Sequence, residues 1–366
     1  MAEPKVWEEI RELGRGGQSR VSLVRSPTRV AERARCLETI RFALDADKRA
    51  DLANAIATYA RPETLPELGA MKKFVIRPNS DEQQSVARLQ QEIRVLQQQR
   101  VGLPKLLDSN ESDRWIVTEF FPRGTLEDNV SQYQGRPGLA LKAFLSLVNT
   151  VAEIHDEGMV HRDIKPANVF VTQDNKLVLG DFGIVFLPNQ PTRLTRTSES
   201  VGPRDFMPPW ADTGGRLTNV DARFDVYALG KLLWCMVSGR SVLQREYFRE
   251  PENDLRLMYK DNPHVHMINE ILERSVVERE KNCVGVHDIR AMTIAFVSTI
   301  EHGGQLLHDG VPRLCHCCGN GYYQKLNLDA GAVGQPMVSL DFAGKPIGAS
   351  VFVCDGCGRI ELFRVI

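Results

Sequence analysis

The run His161-Arg162-Asp163-Ile164-Lys165-Pro166-Ala167-Asn168 puts a carboxylate, an ammonium and an amide on one short stretch of chain. Thirteen residues past Asn168, after two short apolar runs, a second carboxylate stands in Asp181-Phe182-Gly183. Phosphoryl transfer needs such a set: a carboxylate beside the attacking hydroxyl, metal ligands on the nucleotide phosphates and a cation on the phosphate chain. An Asp and an Asn five apart in a loop are able to face one gap the size of Mg2+, and Asp181 is able to close it.

Other elements must bring the remaining groups to that loop. Leu13-Gly14-Arg15-Gly16-Gly17-Gln18-Ser19-Arg20-Val21 lies in a strand-like alternation, Leu13 to Val24. Its glycines let backbone N–H groups approach phosphates with no Cβ in the way, although a plain hairpin turn has the same composition. Ala70 to Ile76 reads as a short strand carrying Lys72 and Lys73. Alternation sends these two side chains to opposite faces, and Lys72 shares its face with Ala70. Ser80 to Arg100 reads as a helix, with Val86, Leu89, Ile93 and Leu96 at helical spacing and Gly102 beyond its end; it carries Glu92. Trp115 to Phe121 is a buried-strand candidate turned by Pro122 and Gly124. From Leu139 to Val297 helical patterns prevail, interrupted by strand-like pieces at 169–171 and 177–179.

In this order the motifs resemble the eukaryotic-type protein kinase family, in the serine/threonine form found in bacteria, over roughly residues 8–300. The resemblance implies an α+β, bilobal protein-kinase fold with a small β-rich N-lobe (1–121) and a mainly helical C-lobe (122–304). It implies ATP with Mg2+ or Mn2+ in the cleft, protein substrates, Asp163 as base, and Asn168 and Asp181 as Mg2+ ligands. Lys165 becomes a phosphate contact, and Lys72 the strand lysine paired with Glu92. Gly14, Gly16 and Gly17, with Ser19 replacing a third glycine, form the phosphate loop, while Leu13, Val21 and Ala70 cover the adenine. Thr118 is the gatekeeper, Glu119 and Phe121 supply hinge backbone groups, and Phe170 is the pocket floor. Asp225 is read as a structural brace for the catalytic loop.

Three departures from that pattern stand out. A helical insert, about 27–66, separates the phosphate loop from Lys72; it reads as one or two amphipathic helices with Leu37, Ile40, Phe42, Leu44, Leu52, Ile56 and Tyr59 facing a core. In Gly202-Pro203-Arg204-Asp205-Phe206-Met207-Pro208-Pro209-Trp210, Pro203 lacks the family's hydroxyl and Trp210 cannot form its buried ion pair. Asn282 stands where the arginine of that pair belongs, so both partners are absent together, which spares a lone buried charge. Finally, Thr195, Thr197 and Ser198 lie between Asp181 and Gly202, where Arg162 is able to pair with a phosphate, which makes them candidate autophosphorylation sites. The rival readings are a kinase-shaped scaffold without activity, which the intact Lys72, Asp163 and Asp181 oppose, and a small-molecule kinase.

The last fifty-odd residues carry another chemistry. Cys315-His316-Cys317-Cys318-Gly319 and Cys354-Asp355-Gly356-Cys357-Gly358 each hold C-x-x-C followed by Gly. Such knuckles bring thiolates to one tetrahedral Zn2+, and glycine permits the left-handed turn. Residues 311–366 therefore resemble a small β zinc ribbon with Cys315, Cys318, Cys354 and Cys357 as structural ligands; His316 or Cys317 is able to substitute in the first knuckle. The stretch between the knuckles is not notably basic, which favours a protein partner over nucleic acid, as does the net charge of −1 over 366 residues. Hydrophobic residues at 42% and charged residues at 25% describe an ordinary globular chain. The first residues show no apolar export segment, and no run approaches about 18 uninterrupted apolar residues. A cytoplasmic location without membrane contact is the expectation.

Overall fold

A computed structural model of the chain describes residues 7–15, 19–45, 51–54, 56, 67–75, 82–183, 204–211 and 221–302. In the C-terminal part it describes 307–308, 311–312, 315–318, 323–325, 338–342, 345–354, 357 and 359–364. Gly16, Gly17, Thr195, Thr197, Ser198 and Pro203 lie outside these residues.

The alternation around the glycine cluster folds as an antiparallel hairpin, β1 (Glu8–Arg15) with β2 (Ser19–Arg25). β3 (Leu68–Phe74), β4 (Leu106–Asn110) and β5 (Trp115–Glu119) complete an antiparallel sheet of order β1-β2-β3-β5-β4. β1 is almost wholly exposed and is tied to β2 by cross-strand ion pairs, Glu9 with Arg20 at 2.5 Å and Glu12 with Arg20 at 2.8 Å. Each such exposed pair contributes at most about 1 kcal/mol, so the ladder hydrogen bonds carry this edge.

Between β2 and β3, the insert contains α1 (Pro27–Asp45). Its expected apolar face is not the one it buries. Ala43 is buried and Cys36 and Ile40 half-buried, whereas Leu37, Phe42, Leu44 and, further on, Ile56 are exposed. The reason is geometric: at about 100° per residue Leu37, Ile40 and Leu44 share one face and Phe42 lies on the far side, while the stripe turned inward is the neighbouring Cys36, Ile40 and Ala43. α2 (Glu82–Leu96) is amphipathic as its spacing requires, with Leu89, Ile93 and Leu96 buried and Val86 half-buried. The chain leaves it through two left-handed residues, Gln99 (φ 47°) and Gly102 (φ 85°).

The second lobe is built around α3 (Pro137–Asp156), α4 (Arg223–Ser238), α5 (Val265–Ser275) and α6 (Val286–His302). A two-stranded ribbon, β6 (Val169–Val171) with β7 (Leu177–Leu179), lies against α3. Two helical stretches, Pro137–Asp156 and Glu280–Glu301, have the length and mean hydropathy of a membrane span. The same properties belong to core helices: 61% of the apolar window of α3 is buried, against 28% for the second stretch, and α3 packs on α4, α6 and β7. α4 is buried from Phe224 to Ser238, and one continuous core runs from Phe74 and Leu89 in the sheet lobe to Leu272 in α5.

Toward the C-terminus, β10 (Tyr323–Lys325), β11 (Val338–Phe342) and β13 (Ile360–Arg364) pair with β12 (Lys345–Cys354), after a two-residue ladder of β8 (Leu307–His308) with β9 (Val311–Pro312).

Gly230 sets the approach of α4 to α5: a Cβ there would come within 2.8 Å of Val276 Cγ2 and closer still to Ser275 Oγ. Gly230→Ala is expected to lower stability by about 1–3 kcal/mol through overpacking, read as a reduced urea midpoint with an unchanged m-value.

Candidate active site and metal centre

Lys72 sits in the middle of β3, paired with Val21 on β2 and Ile116 on β5, which fixes the face on which it emerges. Lys73 is exposed, as alternation requires. The Lys72 ammonium donates to both oxygens of Glu92 on α2, at 3.0 and 2.8 Å, and to Asp181 Oδ1 at 2.8 Å. Burial works against the charge on Lys72, but Asp181 and Glu92 more than offset it and raise its pKa. Burial pushes the Glu92 carboxyl up, against the pull of Lys72. Lys72 holds the Asp181 carboxyl down to about 2.

The loop around Asp163 is held from beneath. Asp225, at the start of α4 and fully buried, accepts the backbone N–H of His161 and of Arg162, each at 2.7 Å, and contacts His155 Nε2 at 2.8 Å. These bonds steady Arg162 in the left-handed region at φ 70°, a conformation that costs a non-glycine residue about 1–3 kcal/mol. Burial opposes ionisation of Asp225, yet the bond from His155 and the backbone donors keep its pKa below the ordinary value. His161 is buried and burial lowers its pKa, so it is neutral at pH 7. Its Nε2 lies 3.1 Å from the Gly180 carbonyl and its Nδ1 accepts the Asp163 N–H at 3.3 Å, which assigns the proton to Nε2.

Asp163 itself is gripped by two side chains. Lys165 Nζ donates to Oδ1 and Oδ2 at 3.0 and 2.9 Å, and Asn168 Nδ2 donates to Oδ2 at 2.7 Å and to the Asp163 carbonyl at 2.9 Å. With its amide nitrogen so engaged, Asn168 offers its amide oxygen to a cation. Asp181 is also left-handed, at φ 62°, and follows Gly180, where a Cβ would come within 2.6 Å of the Phe170 ring. Phe170 stacks on Phe121 with centroids 5.0 Å apart. Ala70 and Thr118 are direct partners across β3 and β5, and the Glu119 N–H goes to the Lys105 carbonyl at 2.9 Å. Leu13, Gly14, Ser19 and Val21 lie on the β1–β2 hairpin, where Gly14 pairs with Val21 beside a register shift.

Trp210 lays its ring edge-on to Tyr227 at 5.6 Å, and Asn282 is exposed. Sequence reasoning passed over His155, the side-chain partner of Asp225, because a histidine inside an apolar helix carries no motif.

The four cysteines converge. Cys315, Cys318, Cys354 and Cys357 have all their sulfurs within 4.8 Å of one another, with Cys315–Cys357 at 3.8 Å and Cys318–Cys354 at 3.6 Å. A tetrahedron of Zn–S bonds of about 2.3 Å has edges of about 3.8 Å, so the donor set fits zinc in spacing as well as in softness. The Cys357 N–H points to Cys354 Sγ at 3.4 Å. Cys317 is exposed and outside the cluster, and His316 turns its nitrogens to Tyr323 and Glu361, at 3.1 Å each.

A two-lobed fold, with an ammonium from the sheet and two carboxylates meeting at the joint, defines a class that comparison with known proteins makes specific. The chain belongs to the protein kinase family: the protein kinase domain profile matches residues 60–283, more than half of the chain, beginning after β1, β2 and α1. It is 27% identical over 245 residues to the serine/threonine-protein kinase ssp1 of Schizosaccharomyces pombe, covering 64% of this chain and 33% of that protein. It is 32% identical over 143 residues to the serine/threonine-protein kinase pkn2 of Myxococcus xanthus, covering 37% of this chain and 17% of that protein. Against the serine/threonine-protein kinase PknB of Mycobacterium leprae it is 32% identical over 126 residues, 34% of this chain and 20% of that protein. The chain thus spans a third or less of the length of these relatives.

Two outcomes follow from this geometry. Asp225→Asn keeps the shape but sets an NH2 against one of two buried N–H donors, and is expected to cost about 2–3 kcal/mol in urea unfolding. Because the folded-state pKa of Asp225 is lowered, its stabilisation is present above the ordinary carboxylate range and is lost as pH falls through the lowered value. The acid limb of the wild-type stability profile is therefore expected to flatten in Asp225→Asn. For the cysteines, elemental analysis of protein purified without added metal is expected to find about one zinc per chain, and well under half of that in Cys354→Ser.

Proposed function

We propose that the chain is a serine/threonine protein kinase that transfers the γ-phosphoryl of ATP to protein hydroxyls, with Mg2+ or Mn2+. The observation that carries this reading is Lys72 joined at once to Glu92 and Asp181, because it sets a cation for the phosphate chain beside a ready metal ligand. Mg2+, when bound by Asn168 and Asp181, supplies charge neutralisation on the phosphates. Asp163, gripped by Lys165 and Asn168, accepts the proton of the attacking hydroxyl. Lys165 adds positive charge beside the transfer, and Lys72 orients the phosphate chain while Glu92 fixes its ammonium. Val21, Ala70 and the stacked Phe121–Phe170 pair form apolar surroundings for the base, with the Glu119 carbonyl as a hinge acceptor.

In this reading residues 1–121 and 122–304 are the two lobes, the 311–366 module is a structural zinc ribbon that docks a protein partner, and Thr195, Thr197 and Ser198 accept phosphate from the enzyme itself. The test is label transfer from γ-labelled ATP to the protein and to myelin basic protein. Asp163→Asn is expected to reduce it by about 10²–10⁴-fold while nucleotide binding persists. Phosphopeptide mapping of active wild type is expected to place label between residues 192 and 200. Nucleotide binding with no transfer, even after addition of cell extract, would instead establish the scaffold reading.

A further inference from the structure

Lys231 is a buried charge that the site described above does not use. It lies on α4 and is 1% exposed. Its ammonium stands 5.3 Å from the ring centroid of Tyr227, one turn earlier on the helix. Tyr227 donates its hydroxyl to Glu246 at 2.5 Å, and the same ring meets the edge of Trp210. The turn Arg204–Phe206 packs on α4. The charged and titratable groups around Lys231 are the half-buried Glu246, the exposed Asp205 in that turn, the buried Cys235 thiol and the Tyr227 phenol. Further along the segment, Met207 and Ala211 pack with Phe224 and with Val160, three residues before Asp163. Residues 204–211 thus run from the turn on α4, with Trp210 against the Tyr227 ring that Lys231 also meets, to the residues just before the catalytic loop.

We propose that Lys231 is a positioning residue whose buried ammonium, drawn to Asp205 and Glu246, holds residues 204–211 on α4, where an acceptor reaching Asp163 meets them. Folding stability does not explain the lysine. Burial lowers its pKa to about 8 although Glu246, Cys235 and Asp205 pull the other way. Between that value and the ordinary 10.5 the unfolded chain binds more protons, so this group makes stability rise with pH there. An apolar side chain of similar length would be neutral or stabilising, and since Glu246 and Asp205 touch water, its introduction orphans no buried carboxylate. What the ammonium supplies is a charge beneath a segment whose own chain has Trp210, not a carboxylate, at the place of the family's ion pair.

The acceptor half of this inference rests on the phosphotransfer reading; the positional half does not, and hydrogen exchange reads it without any activity. In Lys231→Met the melting temperature is expected to hold or rise, exchange in α2 and residues 161–168 to stay unchanged, and exchange in 204–211 to rise about three- to fivefold, the size of a weak, partly screened charge interaction. Lys231→Arg is expected to match wild type. In the wild type, exchange of 204–211, corrected for its intrinsic pH dependence, is expected to increase as pH passes about 8, and in Lys231→Arg it is not. This pH comparison decides the matter should Lys231→Met fail to fold. The KM for myelin basic protein is expected to rise in Lys231→Met by a similar factor, with the KM for ATP unchanged. Unchanged exchange at 204–211, or a fall in melting temperature with loosening throughout the C-lobe, overturns the proposal. Local loosening in a protein whose wild type transfers no phosphate leaves the positioning role standing and removes the kinase reading.

Discussion

One ammonium between two carboxylates constrains the whole upper half of the molecule. Lys72, Glu92 and Asp181 come from β3, from α2 and from the chain after β7, and they meet within 3.0 Å. Glu92 is 4% exposed, and a carboxylate taken so far from water is strongly unfavourable without a partner. Rotating α2 or sliding it by a turn would strand that charge, so the helix, the sheet and the joint between the lobes are positioned together. The two carboxylates divide the work unequally. Glu92 is the buried anchor; Asp181, with its side chain 45% exposed, stays ionised far below neutral pH and is open to a cation.

The lower half solves a different problem, that of backbone held where sterics resist it. Arg162 and Asp181 both have positive φ, and each must be over-determined by its surroundings to remain there. Asp225 does this for the first by accepting two successive N–H groups. Gly180 permits the second, because a side chain at that position would collide with Phe170. That Asp225 is able to serve follows from where it sits. α4 is buried from Phe224 to Ser238, so a carboxylate on its first turn is shielded from competing water and its bonds to the loop are strengthened.

Much of the candidate site was legible because the motifs that carry the family resemblance have short, fixed spacings: 161–168 and 181–183 are contiguous, and strand alternation together with that resemblance separates Lys72 from Lys73. The sheet hairpin, α2 and the long C-lobe helices follow from periodicity in the same way. Periodicity misled at α1, where the stripe turned inward is the neighbouring one, so a count of Leu, Ile and Phe overstated what it buries. Lys231 and His155 were invisible for another reason. A polar residue in an apolar helix announces itself only once its neighbours from distant segments are known, here Glu246 and Asp205 for one and Asp225 for the other.

The two ends of the chain meet the same electrostatic demand by different means. Around Lys72, anions are drawn together by a cation that belongs to the polypeptide, so the cluster forms as the domain folds. In the C-terminal module, four sulfurs converge from two turns 36 or more residues apart. Among the described residues its apolar core amounts to Tyr323 and Phe352 packed among the cysteines. A stretch as short as 311–366 buries too little on its own to offset the entropy of ordering two turns and a four-stranded sheet. Neutral thiols would tolerate spacings of 3.6 and 3.8 Å but would not pull the turns together. A metal held by the four sulfurs would, because each Zn–S bond gained would be folding free energy, and the two closest sulfur pairs already stand near the tetrahedral edge it would impose.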